Sequence, residues 1–267
     1  DNDWDDLIPL GTKDCKLNRT ENAIFKLFSL GVVTNRDEWV YDFDKTNLEK
    51  KVKFFINEYN QNIKDCAILK SAKEIHNFLY KTPKIKYTSE LEKNIQNKNS
   101  IKFTKNRIYK SLYRPFLNKF TYFDNIITHR KYQQLRVFPN AESANLVICL
   151  SGASHSKPFQ TFVVNIIPNL DLLEKTQSFP FNIYDQNNEK HENITNFGLK
   201  AFQNHYADKN ITKKDIFNYC YAVLHSPKYR EKYVINLKQD LPRIPYYKNF
   251  ADLVKIGAKL IDLHVNF

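Results

Sequence analysis

The chain has 267 residues, 42% of them hydrophobic, enough for one large domain or two small ones around a real apolar core. Lys and Arg number 41 against 29 Asp and Glu, a formal balance of +12, which favours a polyanionic partner such as DNA, RNA or anionic lipid. No run of 18 apolar residues occurs and four of the first six residues are Asp, so a membrane span and a signal peptide find no support, and a cytoplasmic protein without a membrane partner is expected.

The sequence lacks Met and opens on Asp1, so a piece of a longer protein is expected. Cys15, Cys66, Cys149 and Cys220 are widely spaced, with no C-x-x-C pair, a pattern that predicts buried free thiols rather than zinc ligands or disulfides.

In chain order, an apolar stretch at 23–34 closes near Gly31, a turn follows at Asn35-Arg36-Asp37, and Trp39 to Phe43 reads as a strand. Between 46 and 80, apolar residues at Leu48, Val52, Phe55, Ile56 and Tyr59, then at Ile68, Leu69, Ile75, Phe78 and Leu79, predict two amphipathic helices. A third starts at Ser89, with Glu92 three residues on as in a capping box, and polar residues 93–100 read as a linker. From 101 to 185 short runs rich in Phe, Tyr, Val and Ile, at 120–123, 146–150, 159–167 and 179–184, predict strands. Thr212-x-x-Asp215 resembles a cap before a helix carrying Ile216, Tyr219, Cys220 and Val223, and Ser226-Pro227 starts another turn. The last helix sets Phe250, Leu253, Val254, Gly257, Leu260, Ile261 and His264 on one face.

Several chemistries lack their residues. The five glycines are too dispersed for a nucleotide or S-adenosylmethionine loop, and no Asn- or Asp-Pro-Pro-aromatic motif is present, so methyl transfer is not expected within this segment. Asp6 with Asp14-Cys15-Lys16 faintly imitates a metal-dependent nuclease, and a solvated loop explains it better because two-metal chemistry needs convergent ligands. The histidines show no zinc spacing, and no nucleophile elbow surrounds Ser154-His155-Ser156.

Basic and aromatic residues interleave most densely at 105–136. Lys105, Arg107, Lys110, His129, Arg130, Lys131 and Arg136 offer phosphate anchors, and Arg130, Gln133 and Gln134 add forks suited to guanine and adenine edges. A second candidate is the loop at 151–160, where Ser154, His155, Ser156 and Lys157 sit between two apolar strands. Against both stands the plainer account of a solvated face or a simple hairpin connection. Tyr109, Tyr113, Phe116, Phe120, Tyr122 and Phe123 read as core rather than as stacking platforms.

Taken together, GVVTNRDEWVYDF at 31–43, SLYRPFLNKFTYFD at 111–124, the segments at 157–185 and 215–245, and the ending GAKLIDLHVNF resemble the C-terminal specificity region of Type ISP and related single-chain Type II restriction-modification enzymes. The resemblance covers nearly the whole chain and lies in the order of these blocks. It implies a parent with an adenine-specific DNA methyltransferase core upstream, fused to nuclease and sometimes motor domains, using S-adenosylmethionine and Mg2+, with no cofactor in this segment. It also suggests a scaffold role for Arg114 in the Y-R-P-F block.

The expected fold is α+β: a helical N-terminal part at 1–100, then a mixed domain at 101–267 with a central strand-rich region and C-terminal helices. The expected function is sequence-specific reading of double-stranded DNA for catalytic domains elsewhere in the parent. The rivals are a nuclease using Asp6, Asp14 and Lys16, and a structural coupling domain that binds DNA through charge alone.

Overall fold

The computed structural model describes residues 3–17 and 22–267. Helices and antiparallel strands alternate along the chain in an α+β fold, and tertiary contacts divide it into two compact units. One is drawn from the segment ending at Gly31, from Leu112–Leu117 and from Tyr132–Phe267; the other comprises Val32–Ser111 and Asn118–Lys131.

The smaller unit is built on helix Lys45–Asp65, capped by Asp44, whose carboxylate accepts from the Asn47 amide at 2.7 Å. Leu48, Val52, Phe55, Ile56 and Tyr59 recur at steps of three and four, and all are buried. Helices Ala72–Lys81 and Ser89–Gln96 follow, capped by Ser71 and Thr88. The cap of the third helix is thus Thr88 rather than Ser89, and the polar stretch read as a linker at 93–100 begins as the last turn of that helix. It does not join units: Ile95 is buried, and the Asn99 carbonyl accepts from Tyr59 at 2.7 Å. The segment read as a strand from Trp39 to Phe43 is instead a helical turn at Asp37–Val40, with a strand only at Tyr41–Asp42. The helical turn lets the Trp39 ring stack on Phe54 at 5.7 Å, a contact no local pattern reveals. Tyr41 and Asp42 pair with Thr121 and Phe120 of strand Leu117–Tyr122. Within this unit Arg36 is buried, donating to the carbonyl of Ile127 and, at 2.9 Å, to the hydroxyl of Thr88.

In the larger unit a four-stranded antiparallel sheet runs in the order Ser29–Leu30, Gln177–Pro180, Val147–Leu150, Thr161–Val164. Every residue of the last two strands is buried, in keeping with the largely apolar runs read there. Helix Lys213–His225 packs against the sheet; its start carries the predicted capping box of Thr212 and Asp215, and residues Ile216 to Leu224 are all buried. Tyr221 on this helix accepts a hydrogen bond from the Val163 amide at 2.9 Å. Asn193 is fully buried and satisfies both ends of its amide on the backbone of Leu27 and Pro180. The long C-terminal helix, Phe250–Val265, buries Gly257 and Ile261 of the predicted face. All four cysteines are free and buried, as their spacing predicts.

Candidate nucleic-acid interface

In the smaller unit the cationic candidates cluster around one turn. Arg107 pairs with the carboxylate of Asp124, which is buried and also accepts from the amides of Ile126 and Ile127 at 2.7 and 3.0 Å. One guanidinium therefore compensates a charge that closes the turn. Lys131 donates to Asn125 at 2.5 Å, and its ammonium is held below its ordinary pKa by partial burial and by the nearby charge of Arg107. Glu90 takes both His129 and Arg130, the latter at 3.6 Å, yet the Arg130 side chain remains 56% exposed. The Arg130 backbone exchanges two hydrogen bonds with Val33, at 2.8 and 3.0 Å, so a fixed main chain presents an exposed guanidinium. Lys105 reaches Glu49 at 3.6 Å from an exposed position, and Lys110 is exposed on strand Ile108–Arg114.

In the larger unit adjacent glutamines part company. The Gln134 side chain is fully buried, and its amide donates to the Leu30 carbonyl at 2.9 Å. Gln133 lies at the surface, where its amide reaches the Lys16 carbonyl at 3.3 Å. Arg136 is half-buried, which lowers its pKa.

The loop between strands Val147–Leu150 and Thr161–Val164 shows the same division. His155 is buried, with Nδ1 against the Lys157 carbonyl and Nε2 3.3 Å from that of Leu237. Ser154 takes a left-handed backbone with φ of 59° and donates from its amide to Lys238 at 2.8 Å. Ser156 is exposed but bound to Glu174 through amide and hydroxyl, and those bonds hold the Glu174 carboxylate below its usual range. Lys157 is exposed. The buried ring of His155 and buried amide of Gln134 thus belong to the loops' support, and the surface offers Gln133, Arg136, Ser156 and Lys157.

Arg114, within its Y-R-P-F block, donates to Tyr113 and Asn169 and lies over the Tyr113 ring at 4.2 Å, in keeping with a scaffold role. Of the six aromatics read as core, Tyr109, Tyr122 and Phe123 are buried, whereas Phe116 stands 57% exposed on a left-handed backbone. Asp6 and Asp14 are both exposed, and neither belongs to a group of three potential metal ligands among the described residues. The group that does occur, Asp185, Glu189 and His191, lies on an exposed hairpin.

Between the 3-10 turn Lys13–Leu17, the 151–160 loop and the stretch at 239–243 lies a cavity of about 340 Å3. Of its two lysines, Lys16 was legible only as part of a nuclease imitation, and Lys13 carried no signal. The signal missed was their neighbourhood, since Lys16 touches Gln133 across 117 residues of sequence.

The fold is α+β, with cationic side chains exposed in each of its two units. Residues 23–267 match the model of the Type ISP C-terminal specificity domain, and the chain belongs to that family. The cryoEM structure of the DrdV–DNA complex is similar over 99% of this chain, with a TM-score of 0.92 and 43% identity. The ATP-dependent Type ISP restriction-modification enzyme LlaBIII bound to DNA is similar over 100% of the chain, with a TM-score of 0.87 and 29% identity. A nuclease-deletion mutant of the Type ISP enzyme LlaGI, in complex with a DNA substrate mimic, is similar with a TM-score of 0.85 and 28% identity, again over 100% of the chain. This chain spans 26%, 17% and 20% of those three proteins, in the order given. No curated protein matches it significantly. No helix among the described residues is long and apolar enough to cross a membrane.

Proposed function

We propose that this chain reads a specific sequence in double-stranded DNA on behalf of a restriction-modification enzyme. The observation that carries this reading is the family match over 23–267; within the smaller unit Arg130 is exposed on a backbone bonded to Val33, and within the larger unit Lys157 is exposed and Gln133 partly exposed. Such loops supply what base recognition needs: cations neutralise phosphates without regard to sequence, and amide or guanidinium forks read edges in the major groove. Residues 101–267 carry the reading loops and residues 1–100 contribute to their support.

The parent's partner domains are an adenine methyltransferase core and a nuclease, working in the cytoplasm on DNA that this chain has selected. S-adenosylmethionine and Mg2+ belong to those domains. The glycines here do not form a cradle for S-adenosylmethionine: a Cβ at Gly31, Gly152 or Gly257 would meet backbone of Asn169, Lys175 or Asn218 at 2.6, 2.5 or 1.9 Å, so these glycines serve packing.

The test is selection of bound oligonucleotides from a random duplex pool. Enrichment of one motif is expected. A salt-dependent isotherm without sequence preference would point instead to a structural coupling domain.

A further inference from the structure

We propose that the cavity bounded by Lys13, Lys16, Gln177 and Arg243 is a DNA contact site, in which the three cations seat the phosphodiester backbone and the Gln177 amide reads a base edge. This inference rests on the reading of the chain as a DNA-recognition module and names residues that the motif analysis did not assign to it.

The cavity, of about 340 Å3, lies wholly within the larger unit. Three cationic side chains line it against one carboxylate, Asp240. Lys13 and Lys16 are exposed, and among the described residues neither ammonium has a carboxylate within 4.0 Å. Arg243 is held toward Asp5, with Nη1 3.0 Å from the Asp5 carbonyl and Nη2 3.3 Å from its carboxylate, a side chain that is itself 93% exposed. A concave surface lined by one sign of charge focuses the field and raises the local concentration of the opposite charge.

Position argues for DNA rather than for a stray anion. The Lys16 carbonyl accepts from Gln133, so the turn carrying both lysines is tied to one of the two segments with base-reading vocabulary. The other segment, at 151–160, contributes Ala153 to the cavity wall. Stretches far apart in sequence thus converge on one cationic hollow. Gln177 opens strand Gln177–Pro180, whose next three residues are buried, so its backbone is fixed where the partly buried residue lines the hollow. An amide carries a donor and an acceptor side by side, the pair that matches adenine in the major groove.

The experiment titrates the whole chain with a duplex selected from a random pool and with a scrambled duplex, over a range of salt. The double variant Lys13→Gln, Lys16→Gln should weaken both duplexes by the same factor and reduce the slope of log K against log salt by about two. Gln177→Ala should keep the slope and weaken only the selected duplex, by about five- to a hundredfold at one base pair. If the double variant melts early, Lys13→Gln alone carries the test, with a slope change of about one. Wild-type affinity, slope and preference in all variants would overturn the proposal. A wild-type chain that binds no duplex would instead overturn the recognition reading beneath it.

Discussion

Gly257 lies so close to Asn218 that a Cβ at Gly257 would stand 1.9 Å from the Asn218 carbonyl oxygen. Two helices, Lys213–His225 and Phe250–Val265, meet at this point with backbone against side-chain space that does not exist. Gly257→Ala should therefore separate them and cost about 3 kcal/mol or more, at the upper end for overpacking because the neighbour is main chain and cannot rotate away. Denaturant unfolding would measure it, and a loss below about 1 kcal/mol would show that the helices slide apart freely.

Acid should destabilise the fold through a histidine before it acts on the carboxylates. Burial first, then the charges of Arg230 and His264, push the His225 pKa down to about 4 from its ordinary 6.5, and burial lowers His264 as well. The unfolded chain then binds more protons than the folded one between pH 6.5 and 4, so stability is complete above 6.5 and falls as the pH drops through that window. His225→Gln should flatten the dependence of melting temperature on pH in this range. Parallel profiles for the two proteins would show that His225 is not its source.

Neighbouring glutamines should separate stability from recognition. Gln134→Leu removes the hydrogen bond to Leu30 and, with it, a buried Oε1 that has no partner among the described residues, so its cost should be about 1 kcal/mol with DNA preference unaltered. Gln133→Ala should leave the melting temperature in place and weaken DNA binding. The opposite pattern, read from melting curves and binding isotherms together, would reverse the two roles.

At Arg130 the exposed guanidinium shares Glu90 with His129. Replacing it in Arg130→Ala should relax preference at one base pair of the selected site, by about 1 to 3 kcal/mol. Equal weakening of every sequence in the pool would instead make Arg130 a phosphate anchor.

The thiols should be inert in the folded protein. All four are buried, and burial pushes Cys149 up to about 12 and Cys220 higher than its ordinary value. Iodoacetamide at neutral pH should label none of them until urea unfolds the chain; labelling of native protein, seen by mass, would reveal an opening that exposes one.

Much of the architecture was legible because it is local. The spacing of Leu48, Val52, Phe55, Ile56 and Tyr59 marks a helix face in any context, and Thr212 with Asp215 closes a capping box with neighbours three residues away. The runs read at 146–150 and 159–167 announce strands, and Val147–Leu150 and Thr161–Val164 within them are buried throughout. Failures fell where a distant contact overrode the local pattern. Trp39 belongs to a helical turn that stacks on Phe54, and Phe116 stands exposed on a left-handed backbone, while of the other aromatics read as core Tyr109, Tyr122 and Phe123 are buried and Tyr113 and Phe120 only partly so.

For the candidate site, composition and motif order determined the family, the DNA partner to propose and the two loops to suspect. Only tertiary structure decided which of their side chains face outward, turning Gln134 and His155 inward while leaving Gln133 and Lys157 at the surface. It alone brought Lys16 beside Gln133. Secondary structure follows from periodicities of a few residues, whereas burial depends on what arrives from elsewhere in the chain, and the residue type of a polar side chain does not encode which neighbours will cover it.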